Sequence, residues 1–209
     1  MQFTELQLNA SLLKAIAEER FQTPTQVQEQ VIPPILAKKN VIVSAQTGTG
    51  KTAAFALPIL QLLLDRQAPE KKPKRIKSLI VTPTRELCLQ IEANFKSYAK
   101  HTDLTTTAVY GGVSLAPQKE ILKEGVDILI ATPGRLIDLH KQGAIDLRAI
   151  EIFVLDEADL MLDMGFINDV TTIESLCPRK KQSLLFSATI PDKIVALSET
   201  MIKNPITIK

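Results

Sequence analysis

The sequence predicts an α/β fold, with one mostly parallel sheet of about seven strands and helices on both faces. Short runs of Val, Ile and Leu alternate along the chain with helical segments. Each run is continuously apolar, which is typical of a strand buried on both faces, and the intervening helices would provide right-handed crossovers between parallel strands. The runs that we assign to strands are 41–43, 79–81, 107–110, 128–130, 152–155, 184–186 and 206–208.

Length and composition are those of a globular protein. The chain has 209 residues, 45% of them hydrophobic and 23% charged, and it shows neither a repeat nor an internal linker, so we expect one domain over 1–209. The uncharged, apolar stretch 52–64 is too short to span a bilayer, and no signal peptide opens the chain. We therefore expect a cytoplasmic protein without a membrane partner. A net charge of +2 says little about a nucleic-acid partner.

The two cysteines, Cys88 and Cys177, lie far apart in the sequence and lack the spacing of metal ligands. Only His101 and His140 are available as companions for a metal site. We interpret the cysteines as reduced intracellular thiols, and not as part of a zinc site or a disulfide framework.

The region 1–40 is predicted to be helical. Leu and Ile recur at helical spacing through its first half, with Ser11 as a possible N-cap, and a turn then leads into a second helix with Pro24 near its start. Farther along, the run 66–77 is rich in Lys, Arg and Pro. We interpret this run as a solvated surface loop, and a nucleic-acid contact is the alternative.

A strand, a loop with two glycines and a helix follow one another over 41–57. The glycines would let the loop turn its N–H groups inward and form an anion site at a helix N-terminus. Lys51 would reach the β- and γ-phosphates of a nucleotide, and the Thr52 hydroxyl would bind Mg²⁺. A Gly-rich turn with a solvated lysine is the alternative, since the general pattern has Gly at the first position of the loop. The candidate phosphate-binding residues are Ala45, Gln46, Thr47, Gly48, Thr49, Gly50, Lys51 and Thr52.

Two acidic residues follow directly after the apolar run 152–155. Asp156 would lie at the edge of the sheet that faces the phosphate loop, where it would hold Mg²⁺ through water. Glu157 beside it is placed to polarise an attacking water. Adjacent acids usually belong to a solvated turn, but after a buried strand and together with Lys51 they predict a metal-dependent catalytic site. Lys51, Asp156 and Glu157 are the candidate catalytic residues.

Asp156-Glu157-Ala158-Asp159 spells the motif that names the DEAD-box RNA helicases, and the chain resembles this family over nearly its whole length. In the family's phosphate loop, Ala at the first position is usual. Further matching segments follow in the family's order: Phe3; Phe21, Pro24-Thr25 and Gln28; Pro83-Thr84-Arg85-Glu86-Leu87; Gly111-Gly112; Thr132-Pro133-Gly134-Arg135; and Ser187-Ala188-Thr189. Two departures, Arg20 where Gly is usual and Cys88 where Ala is common, concern loop geometry. The resemblance implies a RecA-like domain, with 1–40 as the Q-motif region and 41–209 as the phosphate-loop core.

An adenine base presents a donor and an acceptor on one edge, and a side-chain amide supplies the complementary pair. Gln28 is therefore predicted to read the base, as the resemblance also implies. Phe21 or Phe3 would pack on the adenine ring, and Thr25 belongs to the same motif. This set of residues would favour ATP over GTP.

The resemblance implies that three segments at strand ends bind the RNA backbone. Helix N-termini offer unpaired N–H groups and a positive dipole end, and Arg85 and Arg135 would add bidentate contacts to phosphate. Such sites read no base, so binding should be independent of sequence and sensitive to salt. Each Thr or Pro alone would more often belong to an ordinary helix cap. The candidate RNA-binding residues are Pro83, Thr84, Arg85, Gly111, Gly112, Thr132, Pro133, Gly134 and Arg135.

Ser187 and Thr189 end a predicted strand near Asp159, and their hydroxyls would hydrogen-bond Asp159 and couple the nucleotide site to the RNA site. Family members carry a second RecA-like domain that closes over ATP and supplies arginines, and we identify no such domain in these 209 residues. We therefore expect the isolated chain to be a monomer that binds adenine nucleotide weakly, hydrolyses it hardly at all and does not unwind duplexes.

Two other functions remain open. The chain would also suit a nucleotide-dependent RNA-binding module whose site a partner closes in trans, or a DNA-directed ATPase of the wider helicase superfamily. Gln28 and the 156–159 motif argue against the DNA-directed enzyme. Stimulation of the full-length ATPase by RNA or by DNA would separate the helicase from the DNA-directed enzyme, and the length of the native reading frame would separate it from the module.

Overall fold

The computed structural model describes residues 1–66 and 74–209. Among these residues, seven strands form one sheet in which every neighbouring pair is parallel. The strands are β1 (Val41–Ser44), β2 (Ser78–Val81), β3 (Thr106–Val109), β4 (Ile128–Ala131), β5 (Ile152–Leu155), β6 (Gln182–Ser187) and β7 (Ile206–Ile208). Their order across the sheet is β3-β4-β2-β5-β6-β1-β7. The predicted strands are all confirmed, with ends that shift by at most two residues.

Helices fill the connections between the strands. A short 3₁₀ helix (Phe3–Leu6) precedes α1 (Ala10–Glu18), α2 (Gln26–Leu36), α3 (Lys51–Leu64), α4 (Arg85–Tyr98), α5 (Ala116–Glu124), α6 (Pro133–Lys141), α7 (Ala158–Asp163), α8 (Ile167–Leu176) and α9 (Asp192–Met201). No helix in the described part of the chain has both the length and the apolar character needed to cross a membrane.

The N-cap of α1 differs from the prediction. Asn9 occupies the cap, and its side-chain oxygen accepts a hydrogen bond from the backbone N–H of Ser11 at 2.9 Å. Ser11 is therefore inside the helix, and its assignment as the cap was wrong. Asn and Ser are about equally good caps, so propensity alone does not choose between them.

Both faces of the sheet are covered, which explains why the strands are continuously apolar. Successive residues of a strand point to opposite faces, so that Val41 and Val43 pack with α1 to α4 while Ile42 packs with α6 to α9. Cys88 lies in the first of these two cores and Cys177 in the second, so the sheet separates them. Burial raises the pKa of both thiols to about 12, so neither is poised to react near neutral pH.

The basic run 66–77 lies partly outside the described residues. In its described part, the Lys74 ammonium binds the Asp127 carboxylate at 2.7 Å and Arg66 binds Glu151 at 3.0 Å. Lys74 also forms an isolated parallel bridge with Gly125. The interpretation as a freely solvated loop is therefore wrong for Lys74, whose side chain is held by a buried acid.

Two amides fix the start of β1, at the edge opposite the strand ends that carry the motifs. Gln182 Nε2 donates to the carbonyl oxygens of Ile35 and Lys39 at 3.0 and 2.7 Å. Asn40 accepts from the N–H of Ser183 at 2.8 Å and donates to the Lys203 carbonyl at 2.7 Å. Since β1 leads into the phosphate loop, these bonds set the position from which that loop begins.

Gln182→Ala is expected to lower the free energy of unfolding by about 1–3 kcal/mol, because it removes both hydrogen bonds of a buried amide. Urea unfolding followed by circular dichroism measures this change. Gln90→Ala, at an exposed position of α4, is the matched control and should change stability little. Equal effects of the two substitutions would contradict the role of Gln182.

Candidate active site

Parallel pairing brings the predicted motifs to one edge of the sheet. The phosphate loop follows β1, Asp156 follows β5 and Ser187 ends β6, and these three strands are neighbours in the order β5-β6-β1. The three candidate RNA segments follow β3, β4 and β2, which are also neighbours. We call the part of this edge with the predicted nucleotide-binding residues the nucleotide half and the part with the predicted RNA-binding residues the RNA half, and the two meet between β2 and β5.

The phosphate loop leads from β1 directly into α3, which begins at Lys51. Gly48 and Gly50 have φ of +83° and +88°, in the left-handed region that favours glycine. A Cβ on Gly50 would also lie 2.6 Å from Gln28 Nε2, so any other residue there would have to displace the Gln28 side chain. Within the loop, the Thr49 hydroxyl donates to the Gln46 carbonyl at 2.8 Å.

Lys51 reaches across to the acids that follow β5. Its ammonium lies 2.8 Å from Glu157 Oε1, and both side chains are buried. Glu157 adopts φ 56° and ψ 50°, an uncommon left-handed conformation for a residue with a side chain. The predicted convergence of Lys51 with the 156–157 acids is therefore present. The direct pairing of Lys51 with Glu157 is a contact that the sequence did not indicate.

Asp156 is 4% exposed, and its Oδ1 is buried without a hydrogen-bond partner among the described residues. Desolvation raises the pKa of Asp156 to about 7, although the nearby Lys51 charge acts in the opposite direction. A buried carboxylate oxygen that lacks a partner is a suitable ligand for a hard divalent cation. Thr52 is the second residue of α3 and follows Lys51 in its first turn.

Gln28 links the first turn of α2 to the phosphate loop. Its Oε1 accepts from the Thr25 N–H at 2.9 Å, and its Nε2 donates to the Gly50 carbonyl at 3.2 Å. The Thr25 hydroxyl donates to the Thr49 carbonyl at 2.9 Å. The amide predicted to read adenine is thus buried and bonded to protein on both sides, and this structural role was missed from the sequence.

The two aromatic side chains assigned to the base pack on each other. The ring centroids of Phe3 and Phe21 lie 6.2 Å apart in a stacked arrangement, and Phe21 also contacts Tyr98. Phe3 is 5% exposed, so Phe21 is the more accessible ring. A cavity of about 390 Å³ lies between the start of α2 and the phosphate loop, with Thr25, Ala45 and Gly48 in its lining.

The candidate RNA segments begin two helices and one loop. Thr84 caps α4 by accepting from the Leu87 N–H at 3.2 Å, whereas the Thr132 side chain makes no cap bond at α6. Arg85 is exposed, and its guanidinium carbon lies 5.2 Å from the centroid of the Tyr110 ring. At Gly111, Gly112 and Gly134 a Cβ would meet nothing within 4 Å, so this part of the edge is open to an approaching backbone.

Arg135 differs from the expectation of a free guanidinium. Its Nη1 donates to Gln118 Oε1 at 3.1 Å and its Nη2 donates to the Val113 carbonyl at 2.8 Å. Gln118 was not identified from the sequence, because no motif spacing points to it. Pro83 and Pro133 are both buried and serve to direct the chain at the two helix starts.

The residues proposed for coupling are in contact. The Thr189 N–H and hydroxyl both donate to Asp159 Oδ2 at 2.9 Å, and the Asp159 N–H donates to Ser187 Oγ at 3.1 Å. Burial acts to raise the pKa of Asp159, but these hydrogen bonds outweigh burial and hold the pKa below its usual range. The predicted hydrogen bond between Thr189 and Asp159 is therefore present.

Comparison with known proteins places these motifs in one family. A family model described as DEAD/DEAH box helicase matches residues 25–197. The chain is 45% identical over 206 residues to the DEAD-box ATP-dependent RNA helicase RhpA of Helicobacter pylori, covering 99% of this chain and 40% of that protein. It is also 45% identical over 207 residues to the ATP-dependent RNA helicase SrmB of Escherichia coli, covering 99% and 46%. The chain thus spans less than half the length of these relatives.

Solved structures agree with this placement. A DEAD box protein from the hyperthermophile Methanococcus jannaschii is 39% identical with a TM-score of 0.92, over all of this chain and 56% of that chain. A hypothetical ATP-dependent RNA helicase from Sulfolobus tokodaii is 42% identical with a TM-score of 0.87, over 96% and 57%. The match of the family model, together with this shared RecA-like fold, shows that the chain belongs to the DEAD/DEAH box helicase family.

Proposed function

We propose that this chain is the ATP-binding domain of an RNA helicase, which binds ATP and Mg²⁺ at the ends of β1 and β5 and the RNA backbone at the ends of β2, β3 and β4. The observation that carries this proposal is the buried contact between Lys51 and Glu157, which brings the phosphate loop against Asp156. The similarity to RhpA and SrmB, both named as ATP-dependent RNA helicases, supports the same function.

Lys51 would exchange its partner when nucleotide binds. A triphosphate carries several negative charges, so its β- and γ-oxygens would compete with Glu157 for the buried ammonium. The carboxylate released from Lys51 would then be available to orient the attacking water. The phosphate loop would contribute its N–H groups, from Ala45 to Thr52, to the phosphate oxygens. This exchange would make activation of water depend on the presence of nucleotide.

Thr52 and Asp156 would hold Mg²⁺, with Asp156 acting through water. The partnerless Oδ1 of Asp156 fits this role, since a buried carboxylate oxygen without a donor is otherwise costly. When bound, Mg²⁺ would neutralise negative charge that develops during phosphoryl transfer.

Gln28 would read adenine, with Phe21 or Phe3 against the ring. To do so it would exchange its bonds to Thr25 and Gly50 for bonds to the base edge. Because the same amide holds the phosphate loop, recognition of adenine would be transmitted to the residues that bind phosphate. ATP would then be preferred to GTP.

The RNA would be bound through its phosphate and sugar groups. The open glycine segments at 111–112 and 134, the uncapped start of α6 and the exposed Arg85 support contacts that read no base. Asp159, Ser187 and Thr189 would couple this half of the edge to the nucleotide half.

In the longer protein, a second RecA-like domain would close over ATP and remodel or unwind short duplexes. The chain alone would be a monomer with weak nucleotide binding and little hydrolysis, and the protein would work in the cytoplasm.

In the full-length protein, Lys51→Ala should lower the RNA-stimulated ATPase rate by about 100-fold or more, because it removes the buried cation that would stabilise phosphate charge. Steady-state phosphate release measures the rate. Lys14→Ala, an exposed lysine of α1, is the control and should leave the rate unchanged. An intact rate in Lys51→Ala would overturn the assignment of the phosphate loop.

Asp156→Asn should stabilise the chain in the absence of nucleotide and Mg²⁺, and more so at pH 8 than at pH 5. The pKa of Asp156 is raised to about 7, so the folded chain holds the proton more tightly than the unfolded chain. Ionisation of Asp156 therefore lowers the free energy of unfolding progressively as pH rises, and the full loss is reached above about pH 7. Asn does not ionise, so the variant avoids this loss. In thermal unfolding, the melting temperature of Asp156→Asn at pH 8 should be higher than that of the wild type by about 2–4 °C or more.

Asp163→Asn, an exposed acid at the end of α7, is the control for this pH comparison. A gain in melting temperature that is equal at the two pH values, or as large in Asp163→Asn, would contradict the buried state of Asp156.

Arg85→Gln should weaken binding of single-stranded RNA to a similar degree for different sequences and should reduce the salt slope, −d log K/d log[salt], by about 0.7. Fluorescence anisotropy of labelled oligonucleotides over a salt series measures both quantities. Arg179→Gln, at an exposed position on the opposite edge of the sheet, should leave the slope unchanged. An unchanged slope in Arg85→Gln would exclude a phosphate contact by Arg85.

A further inference from the structure

The guanidinium of Arg135 is directed largely into the protein. Nη1 and Nη2 donate to Gln118 Oε1 and the Val113 carbonyl, and Nε is buried without a partner among the described residues. An arginine has five N–H donors, of which two make these bonds and Nε–H is buried, so that a phosphate would have to share the two Nη atoms that are already bonded to the protein. The geometry connects Arg135, at the start of α6, to the loop that follows β3.

Gln118 joins the same two segments from a third element. It lies on α5 and is 7% exposed, and its Nε2 donates to the Tyr110 carbonyl at 3.1 Å while its Oε1 accepts from Arg135. Both ends of the amide are therefore used, and each end holds a segment that carries candidate RNA residues.

Tyr110 extends these contacts to the start of α4. Its ring lies under the Arg85 guanidinium at 5.2 Å, a distance suitable for a cation–π contact. The contacts Arg85–Tyr110–Gln118–Arg135–Val113, which we call the brace, therefore span the ends of β2, β3 and β4. The strand register of these neighbours ends at Val81, Val109 and Ala131. The last backbone bonds join the Thr82 N–H to the Ala131 carbonyl and the Thr132 N–H to the Val109 carbonyl, so in the described part of the chain this pairing stops short of the 111–113 loop.

We propose that Arg135 and Gln118 are positioning residues, which hold the 111–113 loop and the start of α6 at the separation that an RNA backbone requires. This inference rests on the proposed RNA function of the edge. Arg135 then acts mainly through Val113 and Gln118, and the phosphate is contacted by the backbone groups and by Arg85.

Charge and shape separate this role from a direct phosphate contact. Arg135→Lys keeps the positive charge but loses the planar fork that reaches two partners at once. Lysine would preserve most of a phosphate contact but would break the brace. A lost phosphate contact lowers the salt slope by about 0.7, whereas a displaced loop weakens binding without removing a cation.

The test compares Arg135→Lys, Arg135→Gln, Gln118→Met and the double variant Arg135→Lys with Gln118→Met in RNA binding over a salt series. Gln142→Met, at the exposed glutamine that ends α6 away from the brace, is the matched control. Each single variant should bind RNA about tenfold more weakly, since each leaves buried polar groups without partners. The salt slope should match that of the wild type. The double variant should be little weaker than either single variant, because both break one network.

Two further measurements distinguish positioning from a general loss of structure. Nucleotide affinity without RNA should be unchanged in the variants, and hydrogen exchange should become faster in 110–118 while β1 and α3 keep their protection. If Gln118→Met proves poorly folded, Arg135→Lys carries the test, since it keeps the charge and most of the volume.

Wild-type affinity in Arg135→Lys would overturn the inference, as would a Gln118→Met variant that behaves like Gln142→Met. A decrease of about 0.7 in the salt slope of Arg135→Gln would assign Arg135 to phosphate and also overturn it. Failure of the wild-type protein to bind RNA in a salt-dependent way would overturn the proposed function itself, and the inference with it.

Discussion

Parallel pairing is the constraint on which the arrangement of the site depends. Because the described strands all run in the same direction, the loops that follow β1 to β6 leave the sheet at one edge. The strand order then groups these loops. The neighbours β5, β6 and β1 bring the phosphate loop to Asp156, and the neighbours β3, β4 and β2 bring the three open segments together. The coupling contact between Thr189 and Asp159 lies in the nucleotide half, next to the strand that borders the RNA half. Two functions can thus share one edge without sharing residues.

Three buried charged side chains distinguish the nucleotide half. Lys51, Asp156 and Glu157 are each less than one-tenth exposed. A buried ion pair adds little net stability, because loss of hydration offsets much of the attraction. Net stability therefore does not explain the pair between Lys51 and Glu157. On the proposed function, the pair keeps the two side chains in place until ATP binds Lys51 and water binds Glu157. The partnerless Oδ1 of Asp156 is a cost of the same kind, and a cation would relieve it.

Two unusual backbone features lie at the same place. Glu157 has a positive φ despite its side chain, and Gly50 combines a positive φ with a close approach to Gln28. Such conformations persist only where the surroundings hold them, and here the end of β5 and the Thr25–Gln28 cap provide this support. The brace in the RNA half works differently, since its segments are open and the proposed role of its side-chain hydrogen bonds is to set their spacing.

Local sequence patterns predicted the fold class, every described strand, the start of α3 after the phosphate loop and most of the residues at the candidate site. These features follow from local periodicity and from glycine, proline and acid positions, which act over a few residues. The patterns misplaced the cap of α1, since Asn9 and Ser11 have similar propensities. Local patterns predicted neither the strand order nor the long-range partners, which are Lys51 with Glu157, Gln28 with Gly50, and Arg135 with Gln118 and Val113. Those contacts join residues whose separation in the chain carries no periodic signal, and they arise only after crossovers and register have brought the strand ends together.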